Sequence, residues 1–418
     1  MTSIDALLRD LDARLATADH ELASRYPGDR GVRQPVHTVY VPADRFGAET
    51  VPAWGRQARA VLEEHGGGPG AFADLLGLPA DLAEEVHERV RAKLGTEPVE
   101  DLRIDFEDGY GARSDEDEDA ALTAAAAALA RSLADGDAAP FHGIRFKSFE
   151  APTRARGVRT LHQFVGEFAA AAGALGEGFV LTLPKVTSVD QVEAMVVACA
   201  AVEEAHGLAP GALRFEIQVE TPQSVLGADG TVLVARMIHA ADGRCTGLHY
   251  GTYDYSASCG IAAGYQSMEH PAADHAKAVM QVAAAGTGVF VSDGSTNVLP
   301  VGDRDAVHAG WRLHARLVRR SLERGFYQGW DLHPAQLPSR FAATYAFYRE
   351  GLPSAAARLR AYLGGGDSGF LDEPATATAL AGFVLRGVEC GAVDDSEVER
   401  LVDADRDRLA GLARRRQG

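Results

Sequence analysis

FVLTLPKVTSVDQVEAMVVACAAVEEAHGLAPGALRFEIQVE, residues 179–220, holds two short runs rich in β-branched and aromatic residues, FVLTLPKV (179–186) and RFEIQVE (214–220). Between them lies a stretch of helical composition, VDQVEAMVVACAAVEEA (189–205). Strand, helical crossover, strand is the unit a parallel sheet needs, because parallel neighbours cannot be joined by a tight hairpin. Upstream the same rhythm appears at VHTVYVP (36–42), LRIDFED (102–108) and HGIRFK (142–147), and downstream at TGLHYG (246–251), TGVFVSD (287–293) and GWDLHP (329–334). Eight such runs alternating with helical stretches predict an α/β fold, the (β/α)8 TIM barrel.

Around this frame the chain carries additions. Residues 3–25 read as an amphipathic helix, with Ser3 able to cap it and Ile4, Leu7, Leu8, Leu11 and Leu15 at helical spacing. The gap at 43–101 is long and has its own helical pattern, DLAEEVHERVRAKL, which reads as an insertion after the first strand. The acidic run SDEDEDA (114–120) suits a solvated helix start, where the dipole favours carboxylates. After His333-Pro334 the pattern turns helical again, and GGGDSG (364–369) interrupts it before a last Ala-rich segment. The expected organisation is a barrel domain over 1–340 and a helical extension over 341–418, serving as a lid or a subunit contact.

Composition narrows the function classes. The 418 residues are 46% hydrophobic, which is ample for a globular core, and 41 Lys and Arg against 59 Asp and Glu leave a net charge of −18. An acidic surface repels phosphate backbones, so no nucleic-acid partner is expected. Four scattered cysteines without a CxxC pair suggest neither a disulfide framework nor a zinc ribbon, and fit a reducing cytoplasm. The first residues lack the basic flank and apolar run of a signal peptide. No window reaches the roughly 18 apolar residues needed to span a bilayer, so no membrane role is expected.

In such barrels the active site lies at the carboxyl ends of the strands. Those ends are densely charged here: Asp105, Glu107 and Asp108 after the second run, Arg145 and Lys147 on the third, Lys185 after the fourth, and Glu220 after the fifth. Tyr253 and Asp254 follow the sixth, Asp293 ends the seventh, and the eighth holds His333. Charges closing apolar strands are costly unless they pair or hold an ion. Glu220 and Asp254 are 34 residues apart, one βα unit, which makes them neighbours at the barrel mouth. Two converging carboxylates either raise one another's pKa or share a hard divalent cation; alternatively each pairs with a base such as Lys185 or Arg145. Arg145 can offer a planar fork to a substrate carboxylate, or spend it on Asp105 or Glu107. Lys185, beside carboxylates, suits an electrostatic role better than a Schiff base. His333 takes part in chemistry or bonds backbone, and Asp293, before Gly294, binds substrate or closes a turn.

VYVPADR, IDFEDGYG, IRFKSFE, LPKV, EIQVETPQSV, YGTYDYSAS and GWDLHPAQ occur in order over residues 36–340. Together they resemble the HpcH/HpaI aldolase and citrate lyase β-subunit-like superfamily, with malate synthase-like features in LPKV and YDYSAS. The resemblance implies a metal-dependent TIM barrel that makes or breaks a carbon–carbon bond beside a carboxylate or thioester. It implies Arg145 as the substrate-binding arginine and Glu220 and Asp254 as ligands of Mg²⁺ or Mn²⁺. It also implies a homo-oligomer and a C-terminal aspartate as acid/base, which Asp394 or Asp395 in GAVDDSEV can match. No segment is assignable to coenzyme A, and the insertion after the first strand departs from the compact lyase subunits.

The expected activity is that of a Mg²⁺-dependent carbon–carbon lyase or aldolase acting through a metal-stabilised enolate of a small 2-oxo acid or acyl-CoA. Arg145, Lys185, Asp108 and Asp394 are the catalytic candidates, and Arg145, Glu107, Tyr253, Asp293 and His333 the substrate-binding ones. Three rivals stand beside it: malate synthase-like condensation of an acyl-CoA with glyoxylate, a phosphoenolpyruvate-using enzyme relying on His333 or His249, and a binding barrel without catalysis.

Overall fold

The strand–helix alternation folds into eight parallel strands: β1 (His37–Pro42), β2 (Asp101–Asp105), β3 (Phe141–Arg145), β4 (Leu181–Leu183), β5 (Phe215–Val219), β6 (Cys245–Tyr250), β7 (Phe290–Ser292) and β8 (Gly329–Asp331). The computed structural model describes residues 3–364, 369 and 372–414, so most of the glycine-rich break at 364–369 lies outside the described residues. Each strand from β1 to β6 pairs with the next, and β1 pairs with β8 in register Val39–Asp331. A parallel bridge from Ser292 to Gln328 links β7 to β8 and closes the TIM barrel. The strands end sooner than the apolar runs: Glu107, Asp108, Lys185 and His333 lie in the loops beyond them.

Helix α1 (Ile4–Arg25) begins, as expected, at Ser3, whose hydroxyl accepts from the Ala6 amide at 3.2 Å. The insertion after β1 forms α2 (Thr50–His65), α3 (Pro69–Leu76) and α4 (Ala83–Thr96). Crossovers α5 (Asp115–Asp135), α6 (Arg154–Ala172) and α7 (Val189–His206) follow β2, β3 and β4. Two short helices, α8 (Pro222–Val225) and α9 (Leu233–Ala240), follow β5; α10 (Thr252–Ser258) and α11 (Pro271–Ala284) follow β6; α12 (Arg304–Glu323) follows β7. Helix α13 (Leu337–Gly364) leaves β8 and buries Phe341, Ala342 and Tyr345. It thus serves as the eighth barrel helix and runs straight through residue 340, where the sequence reading ended the barrel.

The remaining helices, α14 (Pro374–Glu389), α15 (Asp395–Val402) and α16 (Arg406–Ala413), pack on α13 and on one another. Their ties reach α4 and the arm preceding β1, as in the Arg414 Nη2 bond to the Gly31 carbonyl. That arm lies at the amino-terminal end of the strands, opposite the mouth. A second cluster holds it there: Arg33 and Lys93 both bond Glu97 and the fully buried Glu100.

Side chains alternate along each strand. Phe215, Ile217 and Val219 join the apolar core beneath the helices, while Glu216, Gln218 and Glu220 face the barrel axis. The axis is polar in layers. At the base Arg103 pairs with Asp101 and Glu216 and donates to Thr182 Oγ1 at 3.1 Å. Above it, Glu216 meets His249 Nε2 at 3.0 Å, and Trp330 Nε1 donates to His249 Nδ1 at 3.0 Å. Trp330 lies tilted against Tyr40 with ring centroids 4.7 Å apart, and Arg145 lies 4.6 Å above the Tyr40 ring. Barrel cores are more often filled by branched aliphatics.

These buried carboxylates shape the acid limb of stability. Burial opposes ionisation, but Arg33 and Lys93 hold Glu97 down at about 2, and Arg103 and His249 do the same for Glu216. A carboxylate with a depressed folded pKa contributes stability that is complete above its unfolded value near 4.5 and fades as pH falls toward 2. The urea midpoint is therefore expected to drop between pH 4.5 and 2, and to drop less in Glu97→Gln. An equal drop in that variant would assign the acid limb to other groups.

Candidate functional site

The mouth is built from the loop ends inward. Asp105, the last residue of β2, accepts from the amides of Glu107 at 3.0 Å and Gly109 at 2.8 Å, and so turns the loop that carries Glu107 and Asp108. The same carboxylate takes the Arg145 fork: Nε to Oδ1 and Nη2 to Oδ2, both 2.7 Å. Only Nη1 of Arg145 is loosely engaged, 3.4 Å from Gln218 Oε1 and 3.5 Å from Glu107 Oε2. The fork expected for a substrate is thus spent on Asp105, because a buried guanidinium must be neutralised within the fold. What Arg145 retains for a ligand is Nη1.

Lys185 has a positive φ of 50°, a left-handed conformation uncommon for a side-chain-bearing residue. In it the backbone amide donates to Glu220 Oε1 at 2.7 Å, while Nζ reaches Glu107 Oε1 at 2.5 Å and Asp108 Oδ2 at 2.6 Å. Burial opposes its charge, but Glu220, Glu107 and Asp108 hold the ammonium above the ordinary lysine range. An ammonium held in this way suits electrostatics better than Schiff-base chemistry. Burial works against Asp108 as a carboxylate too, yet the Lys185 bond holds it below its usual value, whereas burial pushes Glu107 up.

Glu220 is fully buried, and among the described residues its two oxygens bond only the Lys185 amide and the Gln218 side-chain amide. Burial, with Asp254 and Glu107 adding repulsion against the pull of Lys185 and Arg145, pushes its carboxyl up to about 8. Asp254, in the first turn of α10, is exposed, with no hydrogen bond or ion pair among the described residues. Among the described residues, then, neither carboxylate is tied off by a basic side chain. Gly251 lies against Glu220, where an added Cβ would overlap the Glu220 Cβ. Gly251→Ala is expected to displace Glu220 and weaken divalent-cation affinity roughly 10- to 100-fold, the range for residues that position a ligand. Calorimetric titration with Mn²⁺ checks this; unchanged affinity would mean that Glu220 does not need its present position.

Four expected site residues are placed elsewhere or already engaged. Asp293 is buried beneath both bonds from Lys277 Nζ, each 2.9 Å, and a 2.6 Å bond from Ser321 Oγ. It pins β7 to α11 and α12, so its carboxylate is engaged within the fold. Asp394 stands before α15 with its carboxylate on Arg89 of α4 at 2.8 Å, outside the mouth cluster of its own chain. His333 is half-buried, which holds its pKa below the usual value, and its Nδ1 accepts from Ala335, the backbone role. Tyr253 Oη accepts from the Asn297 amide at 2.5 Å and so clamps the loop after β7. His249, the other histidine a phosphotransfer reaction could use, is buried between Glu216 and Trp330.

Tyr40, Gln218 and Gly251 line the site without having been singled out from sequence. The period of two in EIQVE, which sets Gln218 on the same face as Glu220, is the signal that could have found Gln218.

Among the described residues no three His, Cys, Asp or Glu side chains converge as a metal cage. A pair of carboxylates without a cage suits Mg²⁺, which keeps several positions for water and substrate oxygens. Glu220, buried beside Asp254 with no basic side chain bonded to it among the described residues, holds its proton until a cation displaces it, and so fits such an ion.

Comparison with known proteins agrees on the architecture. The model of a family described as Domain of unknown function (DUF6986) matches residues 15–417. No curated protein matches the chain. Among solved structures, a citrate lyase from Burkholderia xenovorans LB400 superposes with a TM-score of 0.57 at 18% identity, covering 88% of this chain and 96% of that one. The magnesium/glyoxylate complex of Haloferax volcanii malate synthase gives 0.50 at 15% identity, covering 93% and 99%. At these identities the likeness is one of fold. Also among the described residues, no helix is long and apolar enough to cross a membrane.

Proposed function

Since this chain belongs to the DUF6986 family, whose description assigns no activity, we propose its function from the mouth itself: a Mg²⁺-dependent carbon–carbon lyase or aldolase acting on a small 2-oxo acid or related carboxylated substrate. One observation carries the reading. Among the described residues Glu220 is a buried carboxyl whose oxygens meet only amide N–H groups, with Asp254 beside it and the nearby Lys185 and Arg145 already engaged by other acids.

Glu220 and Asp254 would hold the cation, which when bound supplies Lewis-acid stabilisation of negative charge on a chelating oxygen. This chain's own groups do the rest. Arg145 Nη1, with its partner fork anchored on Asp105, takes a substrate carboxylate oxygen. Lys185 Nζ holds positive charge at the rim beside Glu107 and Asp108, and favours anionic substrates entering an otherwise acidic protein. The Tyr40 ring supports Arg145 from below, and Gln218 orients Glu220 by its amide bond.

Titration calorimetry tests this. Oxaloacetate or pyruvate is expected to bind only with Mg²⁺ or Mn²⁺ present, and EDTA to abolish it. The malate synthase neighbour was captured with magnesium and glyoxylate, so glyoxylate with acetyl-CoA forms the comparison arm. A response to that pair alone would move the assignment to acyl-CoA condensation. Metal-independent binding, or no binding of any carboxylate, would overturn the metal reading.

A further inference from the structure

Helix α1 has no buried residue, yet it carries Ile4, Leu8, Leu11, Leu15, Ala18 and Leu22 at successive spacings of 4, 3, 4, 3 and 4. Ile4, Leu8, Leu11, Leu15 and Leu22 are between 41% and 75% exposed. An apolar stripe repeating every seven residues is the seam of a left-handed coiled coil and is narrower than the face of a helix packed on a globular core. We propose that α1 pairs in parallel with the α1 of a second copy of this chain.

Charge across the seam selects that partner and direction. With Leu8, Leu15 and Leu22 at a, the e positions are Asp5, Asp12 and Asp19 and the g positions Leu7, Arg14 and Glu21. In a parallel pair each g residue meets the e residue five places on in the partner, which sets Arg14 against Asp19 twice and opposes no like charges. An antiparallel pair would line the three aspartates against one another. Arg14 now bonds Asp10 at 2.8 Å in an exposed pair, which costs little to exchange. The helix carries five carboxylates against three arginines, which disfavours an anionic lipid surface. Where α1 leaves the barrel its base is fixed, Tyr26 edge-on to His239 at 5.5 Å and the Gly28 amide bonded to Gly286 O at 2.8 Å, so the pair would join two barrels firmly.

Sedimentation equilibrium of the full chain is expected to give at least twice 44.2 kDa, falling to 44.2 kDa in Leu11→Glu/Leu15→Glu with the barrel's thermal midpoint unmoved. Arg14→Asp should weaken association roughly tenfold and Arg14→Asp/Asp19→Arg restore it. In a Cys259→Ser background, which removes the exposed thiol, Leu8→Cys should oxidise to a cross-linked pair and the outward Ala13→Cys should not. A single-chain mass for the unaltered protein overturns the proposal. So does an assembly indifferent to Leu11→Glu/Leu15→Glu, equal cross-linking at Ala13, or α1-dependent binding to phosphatidylglycerol vesicles.

Discussion

Glu220→Gln is expected to lower Mn²⁺ affinity at least 100-fold and to abolish metal-dependent turnover or ligand binding, while leaving the fold intact. The substitution keeps the volume and one carbonyl oxygen, so the Lys185 amide retains an acceptor. It removes the ability to ionise, and with it half of the carboxylate pair that a cation would be held by. It also relieves a buried carboxylate that burial and Asp254 disfavour, so the metal-free variant should be as stable as the parent or more so. Loss of metal binding together with retained stability is the diagnostic pairing. A variant that binds Mn²⁺ as tightly as the parent would sink the metal assignment, and one that unfolds would show Glu220 to be a structural anchor.

Arg103→Met is expected to produce the largest loss of stability of any single change along the barrel axis. Arg103 is fully buried and spends all three guanidinium nitrogens on Asp101, Glu216 and Thr182. Its removal strands two carboxylates away from water, and breaking a buried pair this way costs about 3–5 kcal/mol. That is a large share of the roughly 5–15 kcal/mol by which domains are stable. Removing the acids as well, in Asp101→Leu/Arg103→Met/Glu216→Leu, should recover much of the loss, because similar-sized apolar groups no longer need a counter-ion. Urea unfolding of the two variants decides it. A parent-like midpoint for Arg103→Met would mean that the carboxylates are protonated or hydrated in the barrel.

The eight strands were legible because each is a local pattern: a β-branched run closed by a loop, then a helical stretch. Even so, the strands proved shorter than their apolar runs, since parallel pairing ends where neighbouring backbones diverge, whatever the residues beyond. The charged mouth was legible too, as acids and bases closing apolar strands. Which of those charges is committed was not. Asp293 before Gly294 and Asp254 after Tyr253 look alike in sequence, yet Lys277 and Ser321 bury the first and nothing among the described residues engages the second. Asp394 fits the expected acid/base in type, but its partner Arg89 lies 305 residues earlier, on a helix of the insertion.

Sequence alone determined the βα order, the period-two face that holds Glu216, Gln218 and Glu220, and the heptad stripe of α1, because backbone sterics and side-chain spacing act over a few residues. Tertiary structure alone decided that Arg145 spends its fork on Asp105, that Asp293 is a strut, and that Glu220 is buried without a basic side-chain partner among the described residues. Ion pairing depends on approaches near 3 Å between elements far apart in the chain, and only the closed barrel sets those distances.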